Sequence, residues 1–326
     1  MAKITLIITD THFGIRQNSQ TWLDTQVNAL RTEFLPKIKE LKDKGHLVHV
    51  VHCGDVFDSR SSINPYTASV VRGLFIEMAQ LCPVIIVSGN HDFYSPSDDA
   101  YSALDLIFFG IKNIIIVKNK CLNIEDDLYV PWYEFDKEDE LAKWLNWCNP
   151  KNIFCHTDLS RISVVQRTML SNTNVYSGHI HGPAKDGNFV TLGSTFALTF
   201  ADHDTPHGYH ILYPNGTLEF IPLNSIIKFY RIYKDDIQYI DPEKYKNDYL
   251  EIYVNKLDLL DESYAQKLEK ITKTIRNVSI IPLLEEKNAN ESVDFSSYNI
   301  EQLCKNNVPK QLQTKLQEII DINKAL

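Results

Sequence analysis

The chain has 326 residues, 44% of them hydrophobic, and a formal net charge of −9. That size and apolar content support one large domain plus a smaller one, and no apolar run is long enough to cross a bilayer. The acidic balance argues against a protein that coats nucleic acid through a general basic field, while leaving room for a nucleic-acid enzyme whose positive charge comes from metal ions or a local patch.

Met1-Ala2-Lys3 runs straight into the apolar segment Ile4 to Ile8, which reads as a first strand with no signal-peptide cleavage pattern. Asp10-Thr11-His12 follows it. Residues 21–44 are predicted as a helix, with Val27, Leu30, Phe34, Ile38 and Leu41 at three- and four-residue steps, a kink at Pro36 and a stop at Gly45. Leu47 to His52 is the second strand and runs into Gly54-Asp55-Val56-Phe57-Asp58. A helix over 65–81 begins with proline in its first turn. Val84 to Ser88 is the third strand and ends at Gly89-Asn90-His91-Asp92. Shorter strands are predicted over 114–117, 128–130, 153–155, 174–176, 189–192 and 208–213, and a helix over 137–148. His156 follows one of these strands, and Gly178-His179-Ile180-His181 another.

Every polar cluster therefore lies just past the carboxyl end of a strand, the edge at which open α/β sheets bind ligands. The many short strands of the second half suggest two facing mixed sheets flanked by helices. From residue 224 the pattern changes to a small β-α-β unit, with strands over 248–254 and 278–284 around a helix over 261–276. Residues 288–297 read as a polar linker. The tail, 298–326, reads as a helix with Leu312, Leu316, Ile319 and Ile320 on one face. The domain boundaries follow: 1–223, 224–287, the linker and the tail.

The clusters supply two carboxylates, four imidazoles and an amide oxygen, enough for two divalent ions. Two such ions ~3.5–4 Å apart clamp a phosphate and its attacking water together. Ions that close need a bridging anion, and Asp55 is the candidate. Asp10, His12, Asp55 and His181 form one proposed ligand set; Asp55, Asn90, His156 and His179 form the other. Mixed imidazole and carboxylate ligands suit manganese, iron or zinc better than magnesium or calcium. Two divalent ions less two carboxylates and one hydroxide leave a net positive site, which attracts a phosphodiester even in an acidic protein. His91 is not needed as a ligand; it is assigned to stabilising the transition state or protonating the leaving oxygen. Asp58 and Asp92 are candidates to orient an imidazole from behind, and Arg16 and Arg60 are candidate phosphate anchors. His203 and His207 read as parts of a surface turn. Cys53, Cys82, Cys121, Cys148, Cys155 and Cys304 show no paired spacing and read as reduced thiols in a cytoplasmic setting.

The D-x-H, G-D-x-x-D, G-N-H-D, H and G-H-x-H blocks resemble those of the calcineurin-like metallophosphoesterases. Within that superfamily Gly54 to Arg60, the Gly-Asn-His-Asp form of the third block, Gly193 to Thr199 with Gly208-Tyr209-His210, and Val130-Pro131-Trp132 resemble the SbcD group. That group includes the meiotic-recombination-eleven nuclease and its bacteriophage counterparts. The resemblance covers residues 3–223 and weakens beyond. It implies a small capping domain that helps place DNA, manganese-dependent cleavage of DNA ends, a homodimer, and an SbcC-like ATPase partner of the SMC type, which the tail is expected to meet. The alternatives are a phosphoprotein phosphatase or small-nucleotide phosphodiesterase of the same fold, and a non-catalytic scaffold.

Overall fold

The structure, a computed structural model, describes residues 3–95, 98–132, 138–255 and 261–282; the expected linker and helical tail lie outside the described residues. The first half contains β1 (Lys3–Ile8), α1 (Gln20–Ala29), α2 (Leu35–Asp43), β2 (Leu47–Cys53), α3 (Pro65–Leu81), β3 (Val84–Val87), β4 (Phe93–Ser95), β5 (Asp98–Ser102), α4 (Ala103–Ile107) and β6 (Ile114–Val117). The second adds β7 (Leu122–Ile124), β8 (Asp127–Val130), α5 (Glu138–Cys148), β9 (Asn152–His156), α6 (Val164–Met169), β10 (Asn174–Gly178), β11 (Ala184–Asp186), β12 (Phe189–Thr191), β13 (Gly208–Leu212) and β14 (Leu218–Pro222). Among the described residues no helix is long and apolar enough to cross a membrane.

Twelve of these strands form two six-stranded mixed sheets, in the orders β14-β13-β1-β2-β3-β6 and β11-β12-β10-β9-β8-β7, and β4 and β5 pair as a separate antiparallel hairpin. Side-chain alternation explains why the strands read as continuous apolar runs. Ile4, Leu6 and Ile8 of β1 and Val48 and Val50 of β2 pack towards the helices with Trp22, Val27, Phe34, Val71 and Phe75. Ile7, Val51, Cys53, Ile85 and Val87 point the other way and meet Tyr129, Phe154 and Tyr176 of the second sheet. Leu128, Ile153 and Val175 on that sheet's outer face pack with Leu141 of α5 and with Leu170. A strand buried on both faces has no polar side to show.

The helix predicted over 21–44 is interrupted not by a simple kink at Pro36 but by a π turn, Leu30–Phe34, in which Leu35 N–H bonds to the Leu30 carbonyl. Proline has no N–H and crowds the carbonyl four residues back; here that is Thr32, inside the widened turn. α3 starts where Asn64 Oδ1 accepts from Thr67 N–H at 2.7 Å, with Pro65 just inside.

Beyond β14, Ile227 and Phe229 still pack with the first core. A separate cluster, including Ile232, Leu250, Ile252, Leu268 and Ile271, belongs to a second unit. The predicted β-α-β unit is present with one strand more. Parallel β15 (Phe229–Ile232), β16 (Tyr249–Val254) and β17 (Asn277–Pro282) carry α7 (Glu262–Thr274), which Asp261 caps. β15 is short and follows β14 after a brief turn, so its alternation does not stand out in the sequence.

Three histidines of the first sheet, His49, His52 and His210, are buried, and burial pushes them down to about 4, about 3 and about 4. They are neutral in the folded chain, whereas in the unfolded chain each takes up a proton near pH ~6.5. Between pH 6.5 and 4 only the unfolded state binds these protons, so folding stability falls as pH falls, by up to about 1.4 kcal/mol per pH unit for each histidine. The thermal unfolding midpoint is expected to drop across that window, and His49→Gln to flatten the slope. A midpoint unchanged between pH 6.5 and 4 would contradict this.

Candidate metal centre

The carboxyl ends of β1, β2 and β3 in one sheet and of β9 and β10 in the other meet at one rim. The loops after β1 and β2 are tied together by Asp10 N–H to the Gly54 carbonyl, His12 N–H to Asp55 and Phe13 N–H to Val56, at 3.0, 3.1 and 2.9 Å. Within these loops and the one after β10, Asp10, His12, Asp55 and His179 hold φ of +48°, +43°, +55° and +80°. Side chains other than glycine's enter this left-handed region rarely, and each such residue costs on the order of 1–3 kcal/mol that the surroundings must offset. Four residues held there together turn their side chains towards one centre.

At that centre His12 Nε2 lies 3.9 Å from Asp10 Oδ1 and 3.7 Å from Asp55 Oδ2, and His181 Nε2 lies 4.0 Å from Asp10 Oδ1. On the other side His156 Nε2 is 3.3 Å from the same Asp55 Oδ2 and 3.1 Å from Asn90 Oδ1, which is 3.0 Å from His179 Nδ1. Ligand atoms about 2.0–2.2 Å from a shared cation stand roughly 3–3.5 Å apart, close to these separations. Asp55 Oδ2 lies between the two groups, where a bridging ligand belongs. Nε2 of His12 is buried and makes no hydrogen bond among the described residues, an orphaned state that an ion would relieve. The residues present fit a pair of divalent ions.

The electrostatics agree. Burial opposes ionisation of Asp55, but the imidazoles of His156, His12 and His91 hold its carboxyl well below the usual carboxylate range. Burial works against a proton on His156, yet Asp55 and Asp10 push it up to about 9; His12 is raised likewise by Asp58, Asp55 and Asp10 against its burial. Carboxylates that retain protons on buried imidazoles make a field that draws any cation, and metal ions would displace those protons. His179 and His181 are shifted down, chiefly by burial.

The supporting contacts divide the remaining candidates. His156 Nδ1–H donates to the Cys53 carbonyl at 2.8 Å, leaving the Nε2 lone pair facing the centre. His91 donates its backbone N–H to Asp55 Oδ1 at 2.8 Å, and its Nδ1 lies 2.5 Å from the Asp58 carbonyl. The Asp58 carboxylate lies 3.4 Å from His12 Nδ1. Asp92 does not reach an imidazole. It is buried and accepts from Gly89, Asp55 and Val56 N–H at 2.9, 3.0 and 3.0 Å, with Phe57 N–H at 3.4 Å. It fastens two ligand loops through their backbones, because a carboxylate that close to Asp55 is better satisfied by N–H donors than by a shared ring. Burial and the Asp55 charge push it up to about 7, against those donors.

Arg16 is also placed differently from a free phosphate anchor. Its guanidinium lies 5.3 Å from the Tyr249 ring and 5.7 Å from Trp22, and it donates to the Leu198 carbonyl at 3.3 Å. It stands in a left-handed turn, Arg16 to Asn18, and joins the second unit to the first. Arg60 is half-buried, and its Nη1 has no hydrogen-bond partner among the described residues. His207 is buried against Ser194 and the Asp202 carbonyl, not in a surface turn. Burial pushes the Cys53 and Cys155 thiols up, Cys155 to about 12, so neither is a nucleophile.

Two neighbours of the centre were not among the site residues expected from sequence, although Trp132 falls in the Val130-Pro131-Trp132 stretch. Asp202 Oδ1 lies 3.9 Å from His181 Nδ1 while its other oxygen accepts from Leu198 and Thr199 N–H. In sequence it lies next to His203, in the segment read as a surface turn. Trp132 stands beside His179 and His156, and nothing in its local spacing points to histidines so far along the chain.

The model of the calcineurin-like phosphoesterase family matches residues 5–183. The chain is 21% identical over 305 residues to "Exonuclease subunit 1" of Enterobacteria phage T4, covering 88% of this chain and 87% of that protein. A solved structure from Staphylococcus aureus, provisionally described as a 5′-nucleotidase in complex with alpha-ketoglutarate, aligns at 10% identity with a TM-score of 0.38. That alignment covers 69% of this chain and 54% of the other. With the family match spanning more than half of its length and the family's blocks gathered at one rim, the chain belongs to the calcineurin-like phosphoesterases.

Proposed function

We propose that the chain is the nuclease subunit of a DNA end-processing complex, a manganese-dependent phosphodiesterase working in the cytoplasm of a bacterial or infected host cell. The observation that carries the reading is the convergence of Asp10, His12, Asp55, Asn90, His156, His179 and His181 on two adjoining positions that share Asp55 Oδ2. Similarity to a phage exonuclease subunit over nearly the full length supports DNA as the substrate and a partner subunit as part of the assembly.

Asp10, His12, Asp55 and His181 would hold one ion, and Asp55, Asn90, His156 and His179 the other. When bound, such a pair supplies Lewis acidity and neutralises charge on a phosphodiester. The chain's own residues do the rest. Asp55 balances both positions, and Asp58 holds His12 by its carboxylate and His91 by its carbonyl. His91 donates Nδ1–H to that carbonyl, and as the imidazolium it would carry a second proton on Nε2 to give to the leaving oxygen or to a hydrogen bond with a phosphate oxygen in the transition state.

The test is degradation of end-labelled single- and double-stranded DNA with manganese, with bis-para-nitrophenyl phosphate and a panel of nucleotides and phosphopeptides beside it. His91→Ala is expected to lower DNA cleavage by about 10²–10⁴-fold with metal content unchanged. Turnover of phosphopeptides or mononucleotides but not DNA would replace the nuclease reading with a phosphatase of the same fold. No turnover of any substrate would favour a scaffold. Deleting residues 298–326 is expected to abolish co-purification with an SMC-type ATPase and leave diesterase activity intact; retained association would remove the tail from the interface.

A further inference from the structure

Trp132 is the first residue past Pro131 at the end of β8, a strand that carries none of the candidate ligands. Its backbone N–H donates to the Ser88 carbonyl at 3.1 Å, two residues before Asn90. Its ring centroid lies 4.8 Å from that of His179, at an interplanar angle of 48°, and 5.8 Å from that of His156, at 62°. The two imidazoles are 5.2 Å apart at 70°. The three rings form one packed triangle. The imidazoles differ in how firmly they are otherwise held. His156 is fully buried and donates to the Cys53 carbonyl. His179 is only part-buried, sits at φ +80°, and contacts Asn90 Oδ1 through Nδ1, the nitrogen nearest the proposed ion position. No described hydrogen bond holds its other ring nitrogen.

We propose that Trp132 is a positioning residue for the second ion. It serves as an aromatic wall that fixes the ring of His179, and through it the Asn90–His156–His179 ligand set. This rests on the two-ion reading above. An edge-to-face or tilted aromatic contact constrains ring rotation without a hydrogen bond. It does here what a carboxylate or carbonyl does behind most ligating histidines. The position of Asp58 behind His12 and of Asp202 near His181 shows the usual device at the first ion, and the Cys53 carbonyl supplies it to His156 at the second; His179 has an indole in that place.

The experiment is manganese binding to the full-length chain by calorimetry, with the exchange-coupled two-manganese signal followed by electron paramagnetic resonance. In wild type two ions bind and the coupled signal forms. In Trp132→Ala the first ion should bind as in wild type and the second at least about tenfold more weakly. The coupled signal should return at high manganese, and diester turnover should recover with it as a raised metal requirement. Trp132→Phe keeps a ring at the same place and should restore near-wild-type binding. A parallel readout is intrinsic fluorescence. Trp132 should account for most of the quenching by manganese, so Trp132→Phe should lose it while Trp22, Trp144 and Trp147 remain. Wild-type affinity for both ions in Trp132→Ala, or equal weakening of both, would overturn the assignment. Fewer than two ions in wild type would overturn the two-ion reading itself, a result separable from any variant's behaviour. If Trp132→Ala fails to fold, unchanged quenching in Trp132→Phe still overturns the assignment.

Discussion

Asp55→Asn is expected to abolish tight binding of at least one ion and to reduce diester turnover by about 10³-fold or more. The side chain is nearly isosteric, and its amide oxygen still accepts from His91 N–H, so the loop has no steric reason to move. What is lost is a charge whose one oxygen stands 3.7 Å from His12 Nε2 and 3.3 Å from His156 Nε2. A metal's stabilisation of developing charge is worth several kcal/mol, and each ~1.4 kcal/mol is tenfold in rate. Metal stoichiometry by elemental mass spectrometry and turnover of a small diester check the two parts separately. Two ions per chain in the variant would show that Asp55 does not bridge. Without metal the same variant is expected to be less stable than wild type near neutral pH, because the Asp55 carboxylate is the counter-charge that raises the buried His156 and His12, and that loss outweighs the relief of Asp92.

Gly54→Ala should be comparably damaging for a different reason. Gly54 holds φ +94°, and a Cβ there would stand 2.3 Å from His156 Nδ1, a separation no real Cβ tolerates. The methyl group would displace the nitrogen that donates to the Cys53 carbonyl and rotate the Nε2 that faces Asp55. Gly45 offers the control. Its φ is +84°, and nothing lies within 4 Å of the corresponding Cβ. Gly45→Ala should cost about 1–2 kcal/mol of stability from backbone strain alone and leave activity intact. Gly54→Ala should show a similar or larger loss of stability and, in addition, about 10²-fold or greater loss of turnover with weakened metal binding. Thermal unfolding, metal titration and diester kinetics on the pair separate strain from displacement. Matching kinetics in the two variants would mean the glycine serves only the turn.

The convergence of the candidate ligand blocks was legible because each closes an apolar strand, and strand ends that share a sheet edge meet in space. Asp10, Asp55, Asn90, His156 and His179 announce themselves by that position. The backbone conformation that aims them does not, since a left-handed Asp10 or His12 looks no different in sequence from an ordinary loop residue. Asp92 was misread because its block suggests an imidazole partner, while its actual partners are backbone N–H groups that no side-chain pattern reveals. The contacts of Arg16 were not legible because its aromatic neighbours, Trp22 and Tyr249, lie 227 residues apart and meet only in the folded chain. Pro36 flagged a disturbance without saying that a widened turn would absorb it. Trp132 stands in a stretch that carries only a resemblance, and Asp202 lies beside His203 and His207 in a segment read as a surface turn, so neither shows in sequence that it meets a candidate ligand.

The proposed ligands divide between the two sheets. Asp10, His12, Asp55 and Asn90 follow strands of the first; His156, His179 and His181 end or follow strands of the second. Between those sheets lies a layer of interior side chains, among them Ile7, Val51, Val87, Tyr129, Phe154 and Tyr176, and packed sheets stand ~10 Å apart only because such a layer fills the gap. The thickness of that oily filling is thus a gauge block for the active rim. Trimming Phe154, one residue along the strand from Cys155 and two from His156, would let the half-sites drift without touching a ligand. The fine adjustment of catalysis in this fold is written partly in residues that never meet a metal, a phosphate or water.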